Sequence, residues 1–314
     1  MKKLIIATRA SKLALWQSEH IKAVLEEQNV GLEVELLPMS TKGDEILDRS
    51  LAQIGGKGLF LKELEEAMLR GEAHIAVHSL KDMPTQMPAE LPLAAVTERE
   101  DVRDAMLSEK YRDIDELPRN AVIGTSSLRR SMQLLRLRPD LIIKDLRGNV
   151  NTRIRKLKEG DYDAIILASA GINRLELINE VEFIYNISLH EMIPSMGQAA
   201  LGIQCINDEK VLKIVKGLDD EYSRIETTIE RDYVDMLEGG CHVPIGVNAT
   251  AMENGDVIVK TILGLPDASE LMSETKIGKS SDYKTIGKEL AQVMIDRGAK
   301  ELLKRSEIMA DESN

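Results

Sequence analysis

Apolar residues in the first 170 positions follow two periods. Short runs at Leu4–Ala7, Val34–Met39, Ile75–His78, Leu93–Val96, Ala121–Gly124, Leu141–Asp145 and Ala164–Ala168 read as strands. Between several of them apolar positions recur every three or four residues. Ser11 is placed to cap an amphipathic helix carrying Leu13, Trp16, Ile21, Val24 and Leu25 inward, and Phe60–Leu69 aligns Leu61, Leu64 and Met68 on one face. Ser127–Leu137 and Val150–Lys158 are further helices. This alternation predicts mostly parallel sheets with helices on their faces. The charged stretch Glu98–Arg103 reads as the crossover between two such sets, which implies two α/β lobes with a cleft between them.

The final third has a different pattern. A long helix over Glu221–Leu237 places Ile225, Ile229, Met236 and Leu237 inward, and Gly239-Gly240-Cys241 ends it. Strands near Val247–Ala251, Val257–Leu265 and Leu271–Ile277 follow, parted by the turn pairs Asn254-Gly255 and Pro266-Asp267. A last helix spans about Tyr283–Lys304, and the tail after Arg305 is polar. The fold class expected is α/β: two lobes with mixed, mostly parallel sheets, plus a small C-terminal α+β domain.

Composition narrows the function. With 314 residues the chain is long enough for two or three domains, and 43% hydrophobic beside 30% charged residues is a globular balance. Only 3% are aromatic, so the cores must be built from Leu, Ile, Val, Ala and Met. A net charge of −12 argues against a non-specific nucleic-acid binder, although local arginine clusters can still hold an anion. Two cysteines give no disulfide framework and read as thiols in a reducing cytoplasm. Lys2-Lys3 precedes an apolar run that stops at Thr8-Arg9, too short for a signal peptide, and no run approaches a membrane span. A cytoplasmic protein without a membrane partner is expected.

Three groups of residues carry candidate chemistry. Cys241 lies in Leu237-Glu238-Gly239-Gly240-Cys241-His242-Val243-Pro244-Ile245-Gly246, where glycines and a proline make an exposed turn. A free cysteine is ordinarily a buried small hydrophobe, and Cys205, inside an apolar run, fits that description better. His242 adjoins Cys241 too closely to face it as a catalytic base. His74 and His78 share a strand face without a third ligand, so no metal site is expected.

Arginines form the second group. Thr125-Ser126-Ser127-Leu128-Arg129-Arg130 joins a strand to a helix, where hydroxyls, free backbone N–H groups and guanidinium forks suit carboxylates. Leu146-Arg147-Gly148-Asn149 follows the next strand, with Arg153 and Arg155 on the helix after it. Arg9 follows the first strand, and Arg174 follows Ala168-Ser169-Ala170-Gly171. A single arginine is ordinarily a solvated charge. Repeated placement beyond strand carboxyl ends, where open α/β sheets bind ligands, predicts a site for a ligand with several carboxylates. The third group is Ser79-Leu80-Lys81-Asp82-Met83-Pro84, in which Asp82 is either an acid for proton transfer or part of a plain turn. Gly55-Gly56-Lys57-Gly58 lacks Walker spacing and reads as a lid or flexible loop before Phe60.

Taken in order, these segments resemble the porphobilinogen deaminase family over nearly the whole chain. The match covers Ala7–Ser11, Gly55–Phe60, His78–Asp82, Gly124–Arg130, Leu146–Asn149, Glu230-Arg231 and Leu237–Gly246. The resemblance implies three domains: residues 1–98 with 198–217 as a first lobe, 99–197 as a second, both like periplasmic binding proteins, and 218–314 carrying the cofactor cysteine. It implies a monomeric transferase that adds four porphobilinogen units, with loss of ammonia, to a dipyrromethane cofactor thioether-linked to Cys241. Hydroxymethylbilane is then released by hydrolysis.

By the same resemblance Asp82 is catalytic. Ser11, Lys81, Thr125, Ser126, Ser127, Arg129, Arg130, Arg147 and Gly148 bind the cofactor. Arg9, Arg153, Arg174 and Gln198 bind substrate, and Gly55, Gly56, Lys57, Gly58 and Phe60 form a lid. Ala199 stands where relatives usually have Gly, and Gln53 where some have Lys. The rival readings are a non-catalytic module for a polycarboxylate solute and a different thiol-dependent enzyme.

Overall fold

A computed structural model describes residues 1–41, 61–239 and 243–312. The expected lid residues Gly55, Gly56, Lys57, Gly58 and Phe60, with Gln53, lie outside the described residues, as do Gly240, Cys241 and His242.

The elements in chain order are β1 (Lys3–Arg9), α1 (Lys12–Gln28), β2 (Glu33–Met39), α2 (Lys62–Leu69), β3 (Ile75–Ser79), β4 (Leu93–Val96), β5 (Asp104–Ser108), β6 (Val122–Gly124), α3 (Leu128–Leu137), β7 (Ile142–Lys144), α4 (Val150–Lys158), β8 (Ala164–Ala168), α5 (Ser169–Arg174), β9 (Phe183–Asn186), β10 (Leu201–Cys205), α6 (Glu209–Val215), α7 (Glu221–Met236), β11 (Ile245–Ala251), β12 (Asp256–Gly264), β13 (Leu271–Lys279), α8 (Tyr283–Asp296) and α9 (Ala299–Glu312). They fold into two compact units: residues 1–100 with 199–225, and residues 101–198 with 226–314. The fold class is α/β, with two lobes rich in parallel pairing and a small C-terminal sheet with helices.

In the first unit the sheet order is β2-β1-β3-β10-β4. β1 runs parallel to β2 and β3, and β10 is antiparallel to both β3 and β4. Both faces are covered. Leu4, Ile6, Val77 and Ile203 pack with Ile21 and Leu25 of α1, and Ala7 and Ala76 pack with Leu64 and Met68 of α2. Burial on both faces explains why these strands read as nearly continuous apolar runs.

Within the second unit the lobe sheet is β7-β6-β8-β5-β9. β6 is parallel to β7 and β8, and β5 is antiparallel to β8 and β9. Each lobe sheet therefore has three parallel strands and then an antiparallel one. That antiparallel strand precedes the parallel strands in the second lobe (β5) and follows them in the first (β10). The C-terminal segment folds with this unit: β11, β12 and β13 form an antiparallel sheet, and the Val247 N–H donates to the Pro194 carbonyl at 2.9 Å.

The structure departs from the periodicity reading in three places. Trp16 is 36% exposed and stacks on His20, whereas Ala14, Gln17, Ser18, Ile21 and Leu25 are buried. Polar atoms account for the rotation of the helix face: Gln17 Nε2 donates to Ser79 Oγ at 3.0 Å, and Ser18 Oγ donates to Thr8 Oγ1 at 2.7 Å. β5, β9 and β10 had no expected strand. β5 follows a charged stretch, begins at Asp104 and is buried at all five residues, so it shows no polar–apolar alternation. Lastly, the expected helix Tyr283–Lys304 is two helices, broken at Gly298, whose φ of +97° is left-handed.

Candidate active site

In the first unit, Arg9 is the last residue of β1 and half-buried. Ser11 caps α1, its Oγ accepting from the Ala14 N–H at 3.4 Å. β3 ends at Ser79 and runs into a 3₁₀ turn over Leu80–Asp82. Leu80 is fully buried, and its N–H donates to the Ala200 carbonyl at 3.0 Å. That anchor leaves Lys81 half-buried and Asp82 exposed.

His78, just upstream, is buried, and its Nε2 donates to Gln204 Oε1 at 3.1 Å. The direction follows from the next link: Gln204 Nε2 donates to Glu65 Oε1 at 2.7 Å, so the amide oxygen is the end that faces His78. Burial pushes the imidazole down to about 4, the Gln204 hydrogen bond opposes this, and the Arg9 charge adds to it. His78 is thus a neutral donor at pH 7. His74 precedes β3, and its Nδ1 accepts from the Ile5 N–H at 3.0 Å. Among the described residues no group of three or more His, Cys, Asp or Glu could hold a metal. Cys205 is fully buried on β10, and burial pushes its thiol up to about 12.

In the second unit, the carboxyl ends of β6 and β8 lie at one end of the sheet, because those strands are parallel. β5 runs the other way, and Asp104, its first residue, pairs with Ala168, the last of β8. Asp104 therefore stands at the same sheet end as Thr125, Ser126 and Ser127. Thr125 Oγ1 accepts from the Ser127 N–H at 3.2 Å. Ser126 Oγ is tied to the Leu146 backbone, accepting from its N–H at 3.0 Å and donating to its carbonyl at 3.1 Å. Ser127 is the N-cap residue of α3, and its side chain makes no capping bond.

Arg129 and Arg130 follow on the first turn of α3, and both are nearly buried, 5% and 6% exposed. They converge on Asp104. Arg129 Nη1 donates to its Oδ2 at 2.6 Å, and Arg130 Nε and Nη2 donate to its Oδ1 at 3.0 and 2.7 Å. Burial alone would raise the Asp104 carboxyl, but attraction and hydrogen bonds from the two arginines outweigh it and hold the carboxyl well below the usual range. Gln198 is also buried here, its Nε2 donating to Asp104 Oδ1 at 3.1 Å and to the Val102 carbonyl at 2.8 Å.

The remaining arginines sit at the same sheet end on their own turns. Arg147 is half-buried, with Nη2 3.4 Å from Asp145 Oδ2. Gly148 has φ +110°, and a Cβ there would come 2.7 Å from Thr152 Cγ2, so no other residue fits easily. Arg153 Nε donates to the Gly148 carbonyl at 2.8 Å, which fixes the guanidinium against that turn. Arg174 ends α5 and is buried.

Sequence reasoning missed two buried carboxylates. Asp104 is hidden from any reading of strand carboxyl ends, because it reaches that place from the amino end of an antiparallel strand. Glu230 is fully buried on α7 and accepts from the Gly197 N–H at 2.7 Å and the Ala249 N–H at 2.9 Å. It ties the segment leading to Gln198 to β11. The adjacent Glu230-Arg231 match was visible in sequence, but its two backbone partners lie 33 and 19 residues away.

The second unit is thus an α/β lobe with guanidinium groups and hydroxyls gathered at one end of its sheet. Residues 4–213 match the family described as porphobilinogen deaminase, dipyromethane cofactor binding domain, and residues 224–296 match its C-terminal domain. The porphobilinogen deaminase of Sulfurimonas denitrificans is 68% identical over 99% of both chains. Those of a Nitratiruptor species and Campylobacter curvus are 62% and 60% identical, covering 98% and 99% of this chain and 98% and 100% of theirs. The chain belongs to the porphobilinogen deaminase family, transferases of tetrapyrrole biosynthesis with a dipyrromethane cofactor. Among solved structures, a TRAP periplasmic solute-binding protein from Desulfovibrio salexigens superposes with a TM-score of 0.42 at 13% identity, covering 69% of this chain and 72% of that one.

Proposed function

We propose that this chain condenses four porphobilinogen molecules, with loss of ammonia at each step, onto a dipyrromethane primer held by Cys241, and releases hydroxymethylbilane by hydrolysis. The observation that carries the reading is a set of arginines, Arg129, Arg147, Arg153 and Arg174, at the ligand end of one sheet in a chain of net charge −12. A cluster of cations against that overall balance calls for an anionic ligand. The donor set fits a dipyrromethane bearing acetate and propionate arms, since guanidinium forks match carboxylates in shape as well as charge. When bound, that group supplies the pyrrole terminus on which the chain grows.

Each residue then has a task. Cys241 anchors through a thioether, a bond that survives the hydrolysis releasing the product. Thr125, Ser126, Ser127 and Gly148 shape the turns at the helix starts, and Ser127 offers a hydroxyl beside the positive end of α3. Arg9, Arg153 and Arg174 receive the acid arms of the incoming substrate, and Lys81 adds a cation beside Asp82. The Asp82 carboxylate, exposed at the end of its 3₁₀ turn, stabilises the cation left on porphobilinogen as ammonia departs and carries protons. Gln198 supports the site from its buried position. The enzyme works in the cytoplasm as a monomer, with small molecules rather than nucleic acid or membranes as partners. The acidic balance argues against a nucleic-acid partner, and no helix among the described residues is long and apolar enough to cross a membrane.

Intact-mass measurement tests the proposal. The wild type should carry the mass of a dipyrromethane, or gain it on incubation with porphobilinogen, and Cys241→Ser should not. Asp82→Asn should keep the adduct and lose turnover by ~10²–10⁴-fold, the usual contribution of a general acid or base. A wild type that never gains mass would leave the solute-binding reading standing.

A further inference from the structure

Asp104, Arg129 and Arg130 form a buried trio in which the two arginines are bound in different ways. Arg130 is fully committed: Nε and Nη2 donate to Asp104 Oδ1, and Nη1 donates to the Ile166 carbonyl at 3.0 Å. Arg129 is committed through one nitrogen. Its Nη1 donates to Asp104 Oδ2 and, at 2.8 Å, to the Ile193 carbonyl. Among the described residues its Nε and Nη2 make no hydrogen bond. Those two nitrogens form the edge that pairs bidentately with a carboxylate.

The Ile193 carbonyl is itself fixed. Gln133 Nε2 donates to it at 2.9 Å, Gln133 Oε1 accepts from the Ile193 N–H at 2.7 Å, and a Cβ on Gly246 would come within 2.8 Å of it. Arg129 Nη1 is therefore held between an immobile carboxylate and an immobile carbonyl. Charge points the same way. Two guanidinium groups against one carboxylate leave a single net positive charge, which is enough to favour one incoming carboxylate. Arg130 already has Asp104 as its counter-ion, so Arg129 is the cation left to meet the ligand.

We propose that Asp104 is the positioning residue of the primer site: it neutralises Arg130 as an internal strut and grips Arg129 by Nη1, so that the Nε–Nη2 edge of Arg129 is presented to one carboxylate of the primer. This rests on the reading above that the second lobe binds a dipyrromethane, and it divides the work of the paired arginines, Arg129 facing the ligand and Arg130 holding the frame.

A double-mutant cycle on the full chain tests it, with primer acquisition from porphobilinogen followed by intact mass and thermal melting followed alongside. Asp104→Asn keeps the size of the side chain and removes the charge that grips Arg129. Arg129→Lys keeps the charge and removes the fork. Each should slow primer acquisition by tenfold or more, and the double variant should be no slower than Arg129→Lys alone, because both changes remove the same presented edge. Multiplicative losses would overturn the proposal, as would a folded Asp104→Asn that primes at the wild-type rate. If Asp104→Asn does not fold, Asp104→Glu carries the test. It retains the counter-ion but displaces Nη1, so it should melt near the wild type and prime at least tenfold more slowly, and wild-type priming there would refute the positioning role. Failure of the wild type to gain mass would instead refute the primer reading itself.

Discussion

At His78 the environment has selected one protonation state. The imidazole is buried, donates to Gln204 and lies near Arg9, and its pKa falls to about 4 against about 6.5 for an unperturbed histidine. Between those values the unfolded chain binds a proton that the folded chain does not. Stability therefore rises with pH across this window, by on the order of 3 kcal/mol in all, and is fully present above about pH 6.5. Urea midpoints measured from pH 4.5 to 7 should rise in the wild type, and His78→Gln should flatten the rise. Parallel pH profiles would show that another group is responsible. Asp104 acts in a lower window: its carboxyl is depressed, so its contribution is present above about pH 4 and is lost as the pH falls further. The motif around His78 was legible in sequence, but its neutral state was not, because Gln204 reaches it from 126 residues downstream and is itself oriented by Glu65 of α2.

Helices and strands were legible where one period held for several turns. β4, α4 and β8 begin and end where their patterns do. The strands that escaped, β5, β9 and β10, are as long as β4 and β8, so length does not set them apart; β5 is bounded by the polar residues Asp104 and Ser108, β9 ends at Asn186, and β10 carries Gly202 and Gln204 between its apolar residues. α8 and α9 read as one helix because the apolar spacing continues through Gly298. Close packing between elements was equally hidden. Gly287 of α8 lies against α7, where an added methyl would overlap the Ile229 carbonyl oxygen and crowd the Asp232 side chain. Helix propensity favours Ala over Gly by about 1 kcal/mol, but overpacking against backbone costs roughly 1–3 kcal/mol. Gly287→Ala should therefore lower stability in chemical denaturation despite the better helix former, and a gain would show that the two helices can part without cost.

Across the whole molecule, the proposed primer would engage the folded arginines and have no such contacts in the unfolded chain, and so would stabilise the native state. Removing it through Cys241→Ser should lower the melting temperature by several degrees, at roughly 2–4 °C per kcal/mol for a body of 150–250 residues. Equal melting of primed and unprimed protein would mean that the arginines gain nothing from the ligand. The sequence alone determined the α/β class, the hydroxyl- and arginine-bearing segments that follow the strands, and the family, since each depends on residues adjacent in the chain or on motifs in order. Tertiary structure decided which strands run antiparallel, and with them that Asp104 arrives between Arg129 and Arg130 and that His78 is held neutral. Those outcomes depend on a charge or donor brought in from a distant part of the chain, and no local pattern records which distant residue the folded sheet places alongside.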